Sequence, residues 1–109
     1  MLGLFGRRKA RKEREELFSR VCEKAIKYVA RRQLRADGST EEIVLGKGGR
    51  VSHGNGYFMV DAAAGEVFRC DEETVRCAEL LSRDGVVVQG VNTHTNAEDT
   101  VVAYYVYYR

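Results

Sequence analysis

From Glu13 to about Arg35 the apolar positions recur at helical spacing. Leu17, Phe18, Val21, Cys22, Ala25, Ile26, Tyr28 and Val29 fall on one half of a cylinder turning about 100° per residue. This predicts a long amphipathic helix whose stripe faces a core. Arg20, Lys24, Lys27 and Arg31 recur at offsets of three and four on the other half, a basic ridge directed at solvent. Asp37-Gly38-Ser39-Thr40 then supplies a turn, with Gly38 suited to a left-handed helix end.

The period changes after this turn. "EEIVLG", "GRVSHG", "GYFMVDAA" and "GEVFRC" are short apolar or alternating runs separated by Gly-rich punctuation, which predicts four strands of an antiparallel meander. Asp71 is placed to cap a second short helix, with Cys70 and Val75 as a hydrophobic staple and Val75, Cys77, Ala78 and Leu81 facing inward as far as Asp84-Gly85. "VVVQGVN" and "TVVAYYVYY" follow as a C-terminal hairpin around "THTNAED". The expected fold class is therefore α+β: a long N-terminal amphipathic helix packed on an antiparallel β-sheet of about six short strands, with a second short helix before a C-terminal hairpin.

The last strand is apolar or aromatic on both sides. Val102, Tyr104, Val106 and Tyr108 alternate with Val101, Ala103, Tyr105 and Tyr107. Both faces of such a strand need cover, from the domain's own elements, from a second copy in a homodimer, or from a partner. Tyrosine suits an interface because its ring buries area while its hydroxyl tolerates water, so Tyr104, Tyr105, Tyr107 and Tyr108 are candidate contact residues.

Composition narrows the setting. At 109 residues, 44% hydrophobic and 31% charged, the chain supports one modest core and one domain. That domain is expected over residues 13–109, preceded by a basic, flexible arm over 1–12. No apolar run approaches the roughly 18 residues of a membrane span, and Leu2 to Phe5 is too short for a secretory signal, so a cytoplasmic setting is expected and membrane-surface association is disfavoured. Three cysteines without CxxC spacing read as buried thiols.

The net charge of +2 conceals an asymmetry. Residues 1–35 carry twelve Lys or Arg against four Glu, a balance of +8, whereas residues 36–109 carry six against twelve, a balance of −6. Such a split points either to a polyanionic or acidic partner or to a basic segment lying on its own acidic remainder. Arg7, Arg8, Lys9, Arg11, Lys12 and Arg14, with the ridge of Arg20, Lys24, Lys27 and Arg31, are the candidate contacts for that partner.

Signatures of chemistry are weak by comparison. "GKGG" at Gly46 to Gly49 resembles the GXXG loop of KH domains, but the helix that must follow is replaced by "RVSHGNGY" with Gly54 and Gly56. "YFMVDAAAGEVFR", Tyr57 to Arg69, resembles the final hairpin of PepSY modules, a family associated with protease inhibition or regulation; the resemblance spans thirteen residues and brings no function with it. His53 and His94 lie in expected turns, without a second ligand at metal spacing. Pairing His53 with Asp61, or either histidine with Cys70 or Cys77, has no supporting motif. No cofactor, metal or enzymatic activity is expected. The residues point to a small accessory or regulatory protein, adaptor or inhibitor-like, that docks on a protein or nucleoprotein through its basic helix, its tyrosine strand or both. A nucleic-acid binder contacting phosphates through the basic arm and ridge is the second reading.

Overall fold

The computed structural model describes residues 2–106, with side chains from Lys12 onward. One helix, α1 (Leu2–Cys22), is followed by eight strands: β1 (Ile26–Leu34), β2 (Thr40–Lys47), β3 (Arg50–Gly54), β4 (Tyr57–Ala62), β5 (Gly65–Asp71), β6 (Arg76–Glu79), β7 (Gly85–Asn92) and β8 (Ala97–Tyr105). They form an antiparallel five-stranded sheet in the order β2-β1-β8-β7-β6 and a three-stranded meander β3-β4-β5. The expected flexible arm over 1–12 falls almost wholly outside the residues with described side chains.

This mostly β architecture corrects the expected α+β class, with its long helix, second helix and six strands. The helix expected over 13–35 stops at Cys22, where the Lys24 amide bonds the Val21 carbonyl at 3.2 Å. Ile26 to Leu34 runs instead as β1, paired on one edge with β2 and on the other with β8. Ile26, Tyr28 and Val29 are β-branched or aromatic, types that fit a pleated surface, and ladders on both edges outweigh a helical stripe that shares many of their positions. The second helix also fails to form. Asp71 Oδ1 accepts the Glu73 amide at 2.8 Å and its carbonyl accepts the Val75 amide at 3.0 Å, which closes a single turn before the chain enters β6. A capped turn is only a nucleus. Cys77 opposite Val88 and Ala78 opposite Val87 give those residues a ladder in place of further helix.

The meander likewise has three strands rather than four, because β2 pairs with β1 and the chain crosses to the other sheet at Gly48 and Gly49. These glycines have φ of 64° and 100°, and a Cβ on Gly49 would collide with the Asp61 carbonyl, so the crossover requires glycine there. The expected strands at "EEIVLG", "GRVSHG", "GYFMVDAA", "GEVFRC", "VVVQGVN" and "TVVAYYVYY" lie on β2, β3, β4, β5, β7 and β8. The "GKGG" stretch leads into β3, not into the helix a KH loop requires.

The core lies between the sheets. Ile26, Val29, Val86, Val88, Val101, Ala103 and Tyr105 come from the large sheet, and Val51, Phe58, Val60, Phe68 and Cys70 from the small one. Helix α1 closes one side with Phe18 and Val21, and the Phe18 and Phe58 rings pack at 4.7 Å. Full burial of an aromatic such as Phe18 is worth about 3 kcal/mol, which holds the helix on the sheets. β8 is central in its sheet; Val101, Ala103 and Tyr105 join the core between the sheets, while Thr100, Tyr104 and a Val102 that is itself fully buried alternate onto the other face.

Candidate docking surfaces

The outward face of the five-stranded sheet follows from register. Val44, Ala30, Val102, Val87 and Ala78 form one row across all five strands, and beside it lie the pair Glu42 and Arg32 on β2 and β1 and the row Thr100, Gln89 and Arg76 on β8, β7 and β6. At one end Tyr28 lies opposite Tyr104, their rings stacked at 4.6 Å and 27°. At the other end Leu34 and Val91 project from β1 and β7. Helix α1 and the small sheet pack on the opposite face, and Leu34, Val44 and Val91 are left 77%, 61% and 51% exposed.

This face is fixed by polar pairs. The Tyr104 hydroxyl donates to both Glu42 oxygens, at 2.7 and 2.8 Å, and Arg32 Nε donates to Glu42 at 3.0 Å. The Tyr104 hydroxyl, followed by Arg32, holds the Glu42 carboxyl below the usual carboxylate range. Burial and the neighbouring carboxylate push the Tyr104 phenol up to about 12. Gln89 Nε2 donates to Thr100 Oγ1 at 3.2 Å, and Arg76 pairs with Glu98. The Arg32–Glu42–Tyr104 triad escaped the sequence reading because Arg32 sat inside the expected helix.

Tyrosines of β8 divide between the two faces. Tyr104 belongs to the outer one, but Tyr105 points inward, is 8% exposed and sets its hydroxyl 3.5 Å from Glu79. Burial raises its pKa further than that of Tyr104. Tyr107 and Tyr108 lie outside the described residues.

No continuous basic ridge exists, because its four residues are distributed over a helix, a turn and a strand. Arg20 is in the last turn of α1, Lys24 lies beyond its end, and Lys27 and Arg31 are on β1. Much of the basic charge meets the acidic remainder of the same chain. Arg14 pairs with Glu73 at 3.7 Å, Arg20 with Glu79 at 2.6 Å, Arg31 with Asp99 at 3.0 Å, Arg32 with Glu42 at 3.0 Å and Arg35 with Glu41 at 3.1 Å. Lys12 and Lys27 are exposed. The side chains of Arg7, Arg8, Lys9 and Arg11 lie outside the described residues.

Asn92 is the buried polar residue of the described fold. Its Oδ1 accepts from the amides of Arg69 and His94, at 3.3 and 3.0 Å, and its Nδ2 donates to the Val67 carbonyl and to Asp99, at 3.1 and 3.0 Å. It therefore ties β5 to the β7–β8 hairpin and holds the carboxylate that anchors Arg31. The histidines stand apart from the thiols. His53 packs on Phe18 at 5.3 Å and lies 3.6 Å from Glu72, and His94 contacts Glu66 at 2.7 Å. Cys70 is buried against Thr74, and burial pushes the Cys77 thiol up to about 12 and raises that of Cys22. Among the described residues no group of three His, Cys, Asp or Glu is arranged to hold a metal ion, and no helix is long and apolar enough to cross a membrane.

A second surface lies at the C-terminal end of α1. Arg20 and Lys24 come together there with Arg83, beside Glu79, Leu80 and a fully exposed Leu81. Arg83 sits in the β6–β7 turn with φ of 63°, and its amide bonds the Leu80 carbonyl at 2.8 Å. In the sequence Arg83 carries no signal of this role, because it directly precedes the Asp84-Gly85 pair that marks the end of the expected second helix. No family model matches the chain, and a search of curated proteins finds no match.

Proposed function

We propose that this protein is a small, non-enzymatic docking module that engages a protein partner through the outer face of its five-stranded sheet. The observation that carries the reading is that face itself: exposed Leu34 and Val91 at one end, exposed Val44 between, and at the other end a Tyr28–Tyr104 stack whose orientation Glu42 and Arg32 fix. Apolar side chains grouped on a rigid sheet mark interaction surfaces, and an amphipathic tyrosine held in one rotamer loses little entropy on binding. The charges of the face already pair, Arg32 with Glu42 and Arg76 with Glu98, so it suits an apolar, near-neutral patch on a protein rather than a phosphate backbone. A cytoplasmic setting belongs with this reading, since Cys22, Cys70 and Cys77 are free thiols.

Immobilised wild type and the variant Leu34→Ser/Val44→Ser/Val91→Ser test it. The three side chains are exposed, so the melting temperature should hold while retention of a specific partner from a cell extract falls at least about tenfold. Retention of the same proteins by both forms would place docking elsewhere.

A further inference from the structure

We propose that the pocket between the C-terminal end of α1 and the β6–β7 turn binds a phosphate monoester. Of the nine arginines with described side chains, eight lie within 4 Å of a described carboxylate. Arg83 is the ninth. It lines a pocket of about 550 Å³ together with Arg20, Lys24, Glu79, Leu80 and Leu81. Arg20 is paired with Glu79, whose second oxygen faces the Tyr105 hydroxyl at 3.5 Å, and Arg20 also complements the last carbonyls of the helix. Lys24 stands with Nζ 5.8 Å from the centroid of the Tyr105 ring and has no described carboxylate partner. Two cations at one pocket therefore have no carboxylate partner among the described residues, in a molecule that otherwise pairs nearly all of its described arginines.

Two positive charges match the dianion of a phosphate monoester better than the monoanion of a carboxylate. A planar guanidinium and an ammonium approaching from separate elements can contact different phosphate oxygens. The fully exposed Leu81 beside them offers contact to the apolar carrier of that phosphate. Arg83 is held in the left-handed region, which few arginines occupy, and this fixes the direction in which the turn presents its side chain. A soluble ester and a lipid headgroup share this chemistry, and the probes below separate them.

The full-length chain, labelled for amide and guanidinium NMR, is titrated with phenyl phosphate, with benzoate, and with phosphatidylcholine vesicles containing phosphatidic acid. Phenyl phosphate should give saturable shifts confined to residues around Arg20, Lys24 and Arg83, and benzoate should bind at least about tenfold more weakly. Arg83→Gln and Lys24→Gln, both at exposed positions, should each weaken phenyl phosphate about tenfold at an unchanged melting temperature. Binding to the vesicles but not to phenyl phosphate would assign the pocket to a lipid surface and overturn a site for soluble esters. No saturable shift with either probe, or equal binding by both variants and wild type, would make this end of the helix a solvated basic surface.

Discussion

Tyr104 shows how much one side chain can carry. In the sequence it is one of four tyrosines between positions 104 and 108, with nothing to distinguish it from Tyr105. Alternation along a strand separates them: Tyr105 enters the core and Tyr104 stacks on Tyr28 with its hydroxyl on Glu42. The neutral hydroxyl is the donor in this contact. Because the folded pKa lies above the ordinary value of 10, the stabilisation is fully present below pH 10 and is lost as pH rises through about 12. Glu42 works in the opposite sense: its carboxyl is depressed by Tyr104 and then by Arg32, so its contribution is present above the ordinary 4.5 and lost as pH falls below it. Tyr104→Phe should therefore remove one of the two late steps in a tyrosinate difference titration. It should also move the Glu42 side-chain carbon titration up toward the ordinary range, while stability at neutral pH changes by no more than about 1 kcal/mol.

At the scale of elements, hydrophobic pattern located six strands but not their partners. β2 is legible as a strand in "EEIVLG", but its place beside β1 is not, because the apolar spacing over residues 26–34 predicts helix. Positions 26 and 29 satisfy both a helical stripe and a strand buried over part of its length, and periodicity alone does not separate them. The content of β-branched and aromatic residues does, and Ile26, Tyr28 and Val29 were the legible signal. Asp71 is a different case, since its capping bond forms as the sequence predicts and only the continuation into a helix does not. Asn92 was invisible. An asparagine beside an expected turn gives no sign that it will be buried with four partners from three segments. Asn92→Ala should leave the Arg69 amide and the Val67 carbonyl unpaired and cost ~3 kcal/mol in chemical denaturation. A loss below about 1 kcal/mol would mean that the two sheets are held together without this clasp.

For the whole molecule, the charge split along the chain is in part folded onto itself among the described residues. Five arginines from the basic third meet five carboxylates from the remainder, an outcome contained in the sequence reading as one of its two alternatives. Exposed pairs of this kind add little stability, about 0–1 kcal/mol each, but they remove those arginines from the set available to phosphates. Prominent among what stays unneutralised or apolar on the described surface are the Lys24 and Arg83 end and the sheet face of Leu34, Val44, Val91 and the tyrosine pair. Side-chain footprinting of the complex with the partner recovered by wild type tests that face most directly. Carbene labelling of Leu34, Val44 and Val91, strong in the free protein, should fall several-fold on binding, while labelling of Ile43 on the opposite face and of Leu81 stays as it was. Undiminished labelling of Leu34, Val44 and Val91, with protection appearing elsewhere, would contradict docking through the outer face of the sheet.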